Sequence, residues 1–246
     1  MYRTFVTGDT HGTYDIQKII EFEKKFTDLD KTDILIVTGD FGGVWYGTDK
    51  DDYVLNWWEN KPWTTVFVDG NHENFDALNA LPEKYWCEGR IHEVAKGVYH
   101  LIRGEVFYIN SHRIFAFGGA ISTDRGHRRE GTTWWRGELP THDEVKAGFR
   151  NCALVHNEVD FIIAHSCPEN LKDYLWRYES ERTNIDFVYG PEYENIHYVL
   201  QDFCNALEYR KLFFGHYHVD REVKGAQCCY NNVYEITDSG IITVIK

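Results

Sequence analysis

The sequence predicts an α/β fold with strands and helices in layers, and two observations support this prediction. Up to about residue 80, short apolar segments alternate with amphipathic helical segments, which is the pattern of strands covered by helices. From 90 to 118, short apolar runs are separated by Lys-Gly, Arg-Gly and Asn-Ser pairs, which indicates antiparallel strands and hairpins. Strand–helix alternation that gives way to meandering strands is typical of an α/β layered sandwich.

The individual elements follow from the apolar spacing. The predicted buried strands are apolar runs that lead into polar turns, at 3–7, 33–38, 64–68, 159–164 and 211–214. The predicted helices have apolar side chains at helical spacing, at 14–26, 51–59, 74–80, 141–157 and 192–208. Thr141 and Glu144 lie three residues apart, which predicts a capping box at the start of one of these helices. Residues 219–245 alternate like a set of hairpins.

Length and composition favour a single domain over residues 1–246, with a loop insertion at about 119–140. Of the 246 residues, 43% are apolar, which suffices for a sizeable core, and no Pro/Ser-rich linker divides the chain. The formal net charge of −13 argues against a general polyanion binder, although bound dications would reverse the local sign at a phosphate site. Six cysteines without a CxxC pair, no signal peptide pattern and no apolar stretch near ~20 residues predict a cytoplasmic protein without membrane contact.

Polar residues of metal-binding type follow all five predicted buried strands. They are Asp9 and His11 in GDTHG, Asp40 in GDFGG, Asn71 and His72 in GNHE, His165, and His216 and His218 in GHYH. Ligands bind beyond the carboxyl ends of strands in open α/β sheets, so we expect these side chains to converge. A single Gly-Asp turn carries little weight, but independent turns would rarely reproduce the ordered set.

The combined donor set suits a pair of divalent cations. Histidine nitrogens with carboxylate and amide oxygens accept Mn, Fe, Zn, Co or Ni. Asp40 is central in the set, and its two carboxylate oxygens make it the expected bridge between the cations. Two cations roughly 3.5–4 Å apart can clamp a phosphoryl group and lower the pKa of a bridging water. The sequence therefore predicts metal-dependent phosphoryl chemistry, in which a metal-bridging hydroxide attacks phosphorus.

In this order, the motifs resemble those of the calcineurin-like metallophosphoesterase superfamily over nearly the whole chain. The resemblance implies a four-layer sandwich of two mixed β-sheets flanked by helices. It implies a first cation held by Asp9, His11, Asp40 and His218, and a second held by Asp40, Asn71, His165 and His216. It also implies that His72 is not a ligand and instead contacts the phosphate or protonates the leaving oxygen.

The chain departs from the family's motifs at two places. The second motif commonly reads GDxxD, but Gly43 stands at the second Asp, which usually supports the GNHE histidine, so the tuning of His72 is an open question. Protein Ser/Thr phosphatases carry Arg before GNHE and another Arg in the second motif, whereas this chain has Asp69 and no Arg there. We therefore expect a small phosphorylated substrate, such as a nucleotide, rather than a phosphoprotein or duplex DNA.

The 119–140 loop carries the candidate substrate contacts Arg125, Arg128 and Trp135. An arginine can hold phosphate oxygens bidentately, and a tryptophan can stack on a nucleobase or another flat group. The alternative is a solvated basic loop whose tryptophans pack back on the sheet, and the sequence leaves these two interpretations balanced.

Three functions compete on this sequence. The first is metal-dependent hydrolysis of a phosphomonoester or phosphodiester. The second is an atypical protein Ser/Thr phosphatase. The third is a catalytically silent metal-binding scaffold, which we would expect to have lost ligands, whereas all seven ligand candidates are present.

Overall fold

The computed structural model describes residues 2–175, 191–237 and 240–246, which form two mixed β-sheets flanked by helices. In spatial order, the first sheet contains β14 (Gly240–Ile245), β13 (Val233–Thr237), β1 (Thr4–Thr7), β2 (Ile34–Val37), β3 (Thr64–Phe67), β6 (Val98–Leu101), β5 (Gly89–Ala95) and β4 (Glu83–Trp86). The second contains β11 (Arg221–Val223), β12 (Ala226–Cys228), β10 (Lys211–Phe214), β9 (Phe161–Ala164), β8 (His112–Phe117) and β7 (Glu105–Ile109).

Parallel strands form the centre of each sheet. β1, β2, β3 and β6 are parallel neighbours in the first sheet, and β12, β10, β9 and β8 are parallel neighbours in the second. Antiparallel strands complete the edges of both sheets. Because the carboxyl ends of parallel strands share one edge of a sheet, the loops that follow the central strands can meet.

Alternate side chains of the central strands face different layers of the molecule. In β1, Val6 lies in the core between the sheets, whereas Phe5 packs in the core on the outer face of the first sheet. In β10, Phe213 lies between the sheets, whereas Phe214 packs in the core on the outer face of the second sheet. Strands buried on both faces contain continuous apolar runs, which is the pattern that made them recognisable in the sequence.

Helices cover the two outer faces. The first sheet is covered by α1 (Gln17–Lys25), α2 (Asp52–Glu59) and α3 (Phe75–Asn79), and the second by α4 (His142–Leu154) and α5 (Pro191–Ala206). The predicted capping box of α4 is confirmed, since the backbone N–H of Glu144 donates to Thr141 Oγ1 at 3.3 Å and the N–H of Thr141 donates to Glu144 Oε2 at 2.6 Å. The four layers confirm the predicted fold class. None of the helices in the described residues has the length and apolar character needed to cross a bilayer.

The structure differs from the predicted elements where local contacts are stronger than the apolar pattern. The first helix begins at Gln17 rather than at residue 14, because the preceding residues form a turn in which the N–H of Asp15 donates to the carbonyl oxygen of Thr10 at 3.1 Å. Strand β4 was not predicted, since it is an exposed edge strand without apolar alternation. β6 pairs in parallel with β3, whereas antiparallel pairing was predicted throughout that region.

Candidate metal centre

The candidate site is formed by left-handed backbone at the strand ends. Asp9, His11, Asp40, His216 and His218 all have positive φ, between 32° and 72°, a region that residues other than glycine rarely adopt. The N–H of His11 donates to the carbonyl oxygen of Asp40 at 2.8 Å, which joins the first two loops. Such conformations cost on the order of 1–3 kcal/mol each and concentrate at functional sites. Five of the seven predicted ligands are therefore held in strained backbone.

Four of the predicted ligands form a compact cluster. Asp9, His11, Asp40 and His218 each offer one ligand atom, and these atoms lie within 4.8 Å of one another. The carboxylate of Asp9 is fixed by the backbone N–H of His216, which lies 3.1 Å from both carboxylate oxygens. These are the four residues expected to hold the first cation.

Asp40 lies between this cluster and a second group of ligands. Its Oδ2 is 3.1 Å from Nε2 of His11, and its Oδ1 is 3.3 Å from Nε2 of His165. The same His165 nitrogen is 3.3 Å from Oδ1 of Asn71, and the His165 ring lies 5.2 Å from the ring of His216. The structure therefore also brings the second expected set together, and each oxygen of Asp40 faces a different set.

Hydrogen bonds at the far ring nitrogens orient two of these histidines. Nδ1 of His165 donates to the carbonyl oxygen of Thr38 at 2.7 Å, so Nε2 is the ring nitrogen that faces the site. Nδ1 of His11 lies 2.7 Å from Oδ2 of Asp15. Outer contacts of this kind set the tautomer and the ring orientation of metal-binding histidines.

Charges inside the site shift pKa values in opposite directions. Burial raises the pKa of Asp9 to about 6, with repulsion from Asp40 adding to it and attraction to His165 opposing it. Burial disfavours a charge on Asp40, but the neighbouring histidines outweigh this effect and hold its pKa well below the usual range. Burial also opposes protonation of His11 and His165, yet the hydrogen bonds and charge of Asp40 raise the pKa of each to about 9.

The donor set fits divalent cations. Burial lowers the pKa of His216 and of His218, the latter to about 4, so both rings are neutral at pH 7 and able to act as ligands. A cation would also relieve the repulsion between the buried carboxylates Asp9 and Asp40, both of which are at most 1% exposed. Imidazole nitrogens together with carboxylate oxygens are ligands for Mn, Fe, Co, Ni and Zn.

We predict that metal binding releases protons and strengthens as pH rises from 6.5 to 9. The pKa values of His11 and His165 in the metal-free fold lie near 9, above their ordinary value of 6.5. Protonation of these rings therefore stabilises the metal-free fold below about pH 6.5, and this contribution is lost as pH rises through about 9. Because a cation binds only the neutral rings, Mn²⁺ must displace their protons.

Calorimetric titration of the metal-free protein with Mn²⁺, in two buffers of different ionisation enthalpy, measures that proton release. We expect release at pH 7 and almost none at pH 10. A proton count of zero at both pH values would contradict the prediction.

His72 lies beside the ligand clusters. Its backbone N–H donates to Oδ1 of Asp40 at 2.8 Å, and its ring lies 5.1 Å from the ring of His11 and 6.2 Å from that of Trp45. Nη2 of Arg128 lies 3.3 Å from Nε2 of His72. Burial lowers the pKa of His72, and the positive charge of Arg128 lowers it further against the attraction of Asp40. A half-buried neutral imidazole at this position can exchange a proton with an oxygen bound at the cluster.

Packing around Phe41 explains the glycine at position 43. A Cβ on Gly43 would lie 2.3 Å from the ring of Phe41, which is fully buried and stacked on Phe67 at 4.2 Å. An aspartate at this position would displace that ring. The polar contact to His72 comes instead from Arg128.

Asp69 anchors the 119–140 loop. It is 1% exposed and accepts a hydrogen bond from Nε of Arg103 at 2.9 Å. Burial disfavours its charge, but Arg103 and His100 together outweigh this effect and lower the pKa of Asp69 to about 2. Arg103 also donates to the carbonyl oxygen of Gly137 at 2.8 Å, and the carbonyl oxygen of Asp69 accepts from the N–H of Gly119 at 2.9 Å. The strand end before GNHE therefore holds both ends of the loop.

The two predicted arginines of the loop occupy different positions. Arg128 is half-buried next to His72, and Asp124 holds it through a contact of 2.8 Å from Nε to Oδ1. The guanidinium carbon of Arg125 lies over the ring of Trp134, 5.5 Å from its centroid. Arg128 is therefore the arginine of this pair that contacts the residues around the ligand cluster.

Trp135 is buried under the site. It is 5% exposed, its Nε1 donates to Oδ2 of Asp76 at 3.1 Å, and its ring packs edge-on against Trp45 at 5.3 Å. Trp45 is half-buried and lies next to His72. The aromatic face beside the site belongs to Trp45, which sequence analysis missed because no ligand-type residue accompanies it.

Sequence analysis also missed buried polar side chains that hold the ligand loops. Lys18 is 4% exposed, and its Nζ donates to the carbonyl oxygens of Gly8, Asp9 and Tyr230, at 2.8 Å for Asp9. Glu73 is fully buried, and its Oε1 accepts from the N–H of Phe41 at 2.8 Å. The position of Glu73 inside GNHE was a usable signal. Lys18 gave none, because a lysine on an amphipathic helix is normally assigned to the solvent face.

Comparison with known proteins supports the assignment made from these residues. No curated protein matches the chain significantly. One solved crystal structure is 10% identical with a TM-score of 0.52, covering 99% of this chain and 98% of its own. A putative 5'-nucleotidase from Staphylococcus aureus, solved with alpha-ketoglutarate, is 14% identical with a TM-score of 0.49, covering 99% of this chain and 53% of that one. The family model described as calcineurin-like phosphoesterase matches residues 2–220. The chain belongs to the calcineurin-like phosphoesterase family and is a metal-dependent phosphoester hydrolase.

Proposed function

We propose that the protein hydrolyses the phosphoester of a small, nucleotide-like molecule at a centre of two divalent cations. The observation that carries this proposal is the position of Asp40, whose two oxygens lie 3.1 Å and 3.3 Å from Nε2 of His11 and of His165. A single carboxylate directed at two histidine-containing sets is the arrangement a dinuclear centre requires.

In this proposal the seven ligands divide into two sets that share Asp40. The first cation is held by Asp9, His11, Asp40 and His218, and the second by Asp40, Asn71, His165 and His216. When bound, the cations supply the activated water and neutralise charge on the phosphate oxygens. The protein holds these ligands in place through the hydrogen bonds to His11, His165 and Asp9.

His72 and Arg128 are proposed to act on the substrate. Their contact of 3.3 Å places a guanidinium and an imidazole next to each other at the edge of the ligand cluster. The guanidinium can donate two parallel hydrogen bonds to phosphate oxygens. Once a bound phosphate draws the arginine away, Nε2 of His72 can take up a proton from water and donate it to the leaving oxygen.

A flat leaving group is proposed to rest against Trp45. This ring is half-buried beside His72, and Trp135 supports it from below at 5.3 Å. Indole rings bind planar groups by stacking, each stacked base contributing about 1–3 kcal/mol. The 119–140 loop would then serve as the substrate side of a single domain, with Arg128 at the phosphate. Arg125 would add positive charge further out, over Trp134.

Hydrolysis of p-nitrophenyl phosphate and of bis-p-nitrophenyl phosphate by the Mn²⁺-loaded protein, each with and without chelator, tests the proposal. We expect turnover that chelator removes, and the preferred ester distinguishes a monoesterase from a diesterase. A screen of nucleotides, cyclic nucleotides and phosphorylated metabolites then identifies the substrate. Absence of turnover on every compound with any of the five metals would overturn the proposal and favour the scaffold function.

Replacing Arg128 with alanine is expected to raise the KM for a phosphomonoester by at least about tenfold. Hydrogen bonds to charged groups contribute about 1.5–3 kcal/mol, and 1.4 kcal/mol corresponds to tenfold in affinity. Arg129→Ala is the matched control, because this neighbouring arginine is exposed on the same loop. An unchanged KM in Arg128→Ala would remove that residue from the substrate site and support the interpretation of a solvated basic loop.

A further inference from the structure

A series of hydrogen bonds between buried side chains links the 119–140 loop to Asn71. Glu138 is fully buried, Ser122 is 1% exposed and Asn71 is 5% exposed. The N–H of Ser122 donates to Oε1 of Glu138 at 3.1 Å, and the hydroxyl of Ser122 donates to Oε2 at 2.7 Å. Nδ2 of Asn71 in turn donates to the hydroxyl oxygen of Ser122 at 3.3 Å. Three buried polar groups are thereby linked in one direction.

The donor–acceptor direction of these hydrogen bonds follows from which groups can donate. Burial raises the pKa of Glu138 to about 7, so the carboxylate is mainly ionised at pH 8. An ionised carboxylate only accepts hydrogen bonds, so Oε2 of Glu138 accepts from the Ser122 hydroxyl. The lone pairs of the Ser122 oxygen then face Asn71 and require a donor. Only the NH₂ end of the amide meets that requirement.

The amide orientation decides which atom Asn71 presents to the ligand cluster. With Nδ2 bound to Ser122, Oδ1 points to the other side and lies 3.3 Å from Nε2 of His165. The opposite orientation would present an NH₂ group, which cannot bind a cation. Ser122 and Glu138 therefore select the orientation in which Asn71 is a ligand.

We propose that Ser122 and Glu138 are positioning residues that turn Oδ1 of Asn71 toward the second cation. This inference rests on the proposed function, in which Asn71 is a ligand of that cation. It also means that the 119–140 loop, which carries Arg128, controls metal binding as well as substrate contact. Arg103 supports the same loop segment by donating to the carbonyl oxygen of Glu138 at 3.3 Å.

Two substitutions disrupt this series of hydrogen bonds in different ways. Ser122→Ala removes the acceptor for Nδ2, so the amide loses its preferred orientation. Glu138→Gln reverses the donor–acceptor direction of the hydrogen bonds. The glutamine oxygen satisfies the N–H of Ser122, its NH₂ group donates to the Ser122 hydroxyl, and that hydroxyl then donates toward Asn71 and attracts Oδ1 away from the site.

Titration of the metal-free protein with Mn²⁺ at pH 8, followed by electron paramagnetic resonance, reports the two binding steps separately from activity. Loss of an outer contact typically weakens metal binding 10- to 100-fold. We expect Ser122→Ala and Glu138→Gln to weaken the second step by about 10- to 100-fold and to leave the first unchanged. Glu130→Gln is the matched control, because Glu130 is exposed on the same loop and pairs with Arg136.

The decisive comparison uses Asn71→Asp, because a carboxylate presents an oxygen in either orientation. In that background, Ser122→Ala should have no further effect on the second Mn²⁺ step. An equal loss in both backgrounds, or no loss in either, would overturn the positioning role while leaving the dinuclear centre intact. Wild-type protein that binds a single Mn²⁺ would instead overturn the proposed function and, with it, this inference.

Discussion

Replacing Asp40 with alanine is expected to eliminate Mn²⁺ binding and to reduce phosphoesterase turnover to the metal-free background. Asp40 is the residue shared by both proposed ligand sets, with one oxygen 3.1 Å from His11 and the other 3.3 Å from His165. Its removal takes one ligand from each cation and one negative charge from the centre. The neighbouring carboxylate of Asp9 does not replace it, because the N–H of His216 already fixes Asp9.

Asp40→Asn is the better-matched second variant. Asparagine tolerates the left-handed backbone at φ 48°, whereas alanine adds strain there. Asparagine also keeps an oxygen to accept from the N–H of His72, whose lost partner would otherwise cost about 1–3 kcal/mol. Both variants should lose binding of the two cations, but Asp40→Asn should melt closer to wild type.

A control at the opposite end of the same strand separates metal loss from damage to β2. Asp33 precedes β2, is 4% exposed and accepts from the N–H of Arg3 at 2.9 Å, so Asp33→Asn also removes a buried charge. We expect this variant to lose stability and to keep both Mn²⁺ ions. Metal content and turnover of the three purified variants, measured below their melting temperatures, decide the matter. Full binding by Asp40→Asn would contradict the bridging role.

The sequence revealed the fold because its central strands are buried on both faces. Four apolar residues in a row in β2, and again in β9, are recognisable without knowing their partners. Edge strand β4 gave no such signal, because its first three side chains face solvent. The start of α1 was placed three residues early, because the turn that orients His11 through Asp15 uses residues with the same helical spacing.

The ligands of the candidate centre were predictable for a related reason. Each follows a buried strand directly, so the local sequence contains both the strand and the ligand. The supporting residues have no such local signature. Lys18 bonds to the carbonyl oxygen of Tyr230 across 212 positions, and Asp69 pairs with Arg103 across 34. Contacts between distant segments depend on how the layers pack, and spacing rules within one segment do not contain that information.

Gly43 illustrates how a missing family residue acquires a physical explanation only in three dimensions. From the sequence, the absent aspartate left the support of His72 open. The structure fills that space with the ring of Phe41 and brings Arg128 to His72 from a loop 56 positions away. His72 therefore contacts a guanidinium through its ring as well as the carboxylate of Asp40 through its backbone N–H. Burial lowers the pKa of His72, and the charge of Arg128 lowers it further against the attraction of Asp40.

His72→Ala is the second substitution with a large expected effect. We expect normal Mn²⁺ content and turnover slowed by ~10²–10⁴-fold on an ester with an alkyl alcohol leaving group, the usual size of one acid–base contribution. His72 contributes only its backbone N–H to Asp40, and alanine retains that group. The metal ligands should therefore stay in place.

The leaving group distinguishes proton donation from simple contact with phosphate. An alkoxide needs a proton to depart, whereas p-nitrophenolate is stable without one, so a general acid matters far more for the alkyl ester. We expect His72→Ala to slow p-nitrophenyl phosphate hydrolysis much less than alkyl ester hydrolysis. Equal losses on both esters would instead assign His72 to phosphate binding. His127→Ala, an exposed histidine on the 119–140 loop, is the control and should match wild type on both. Unchanged turnover of His72→Ala on the alkyl ester would exclude this histidine from the chemistry altogether.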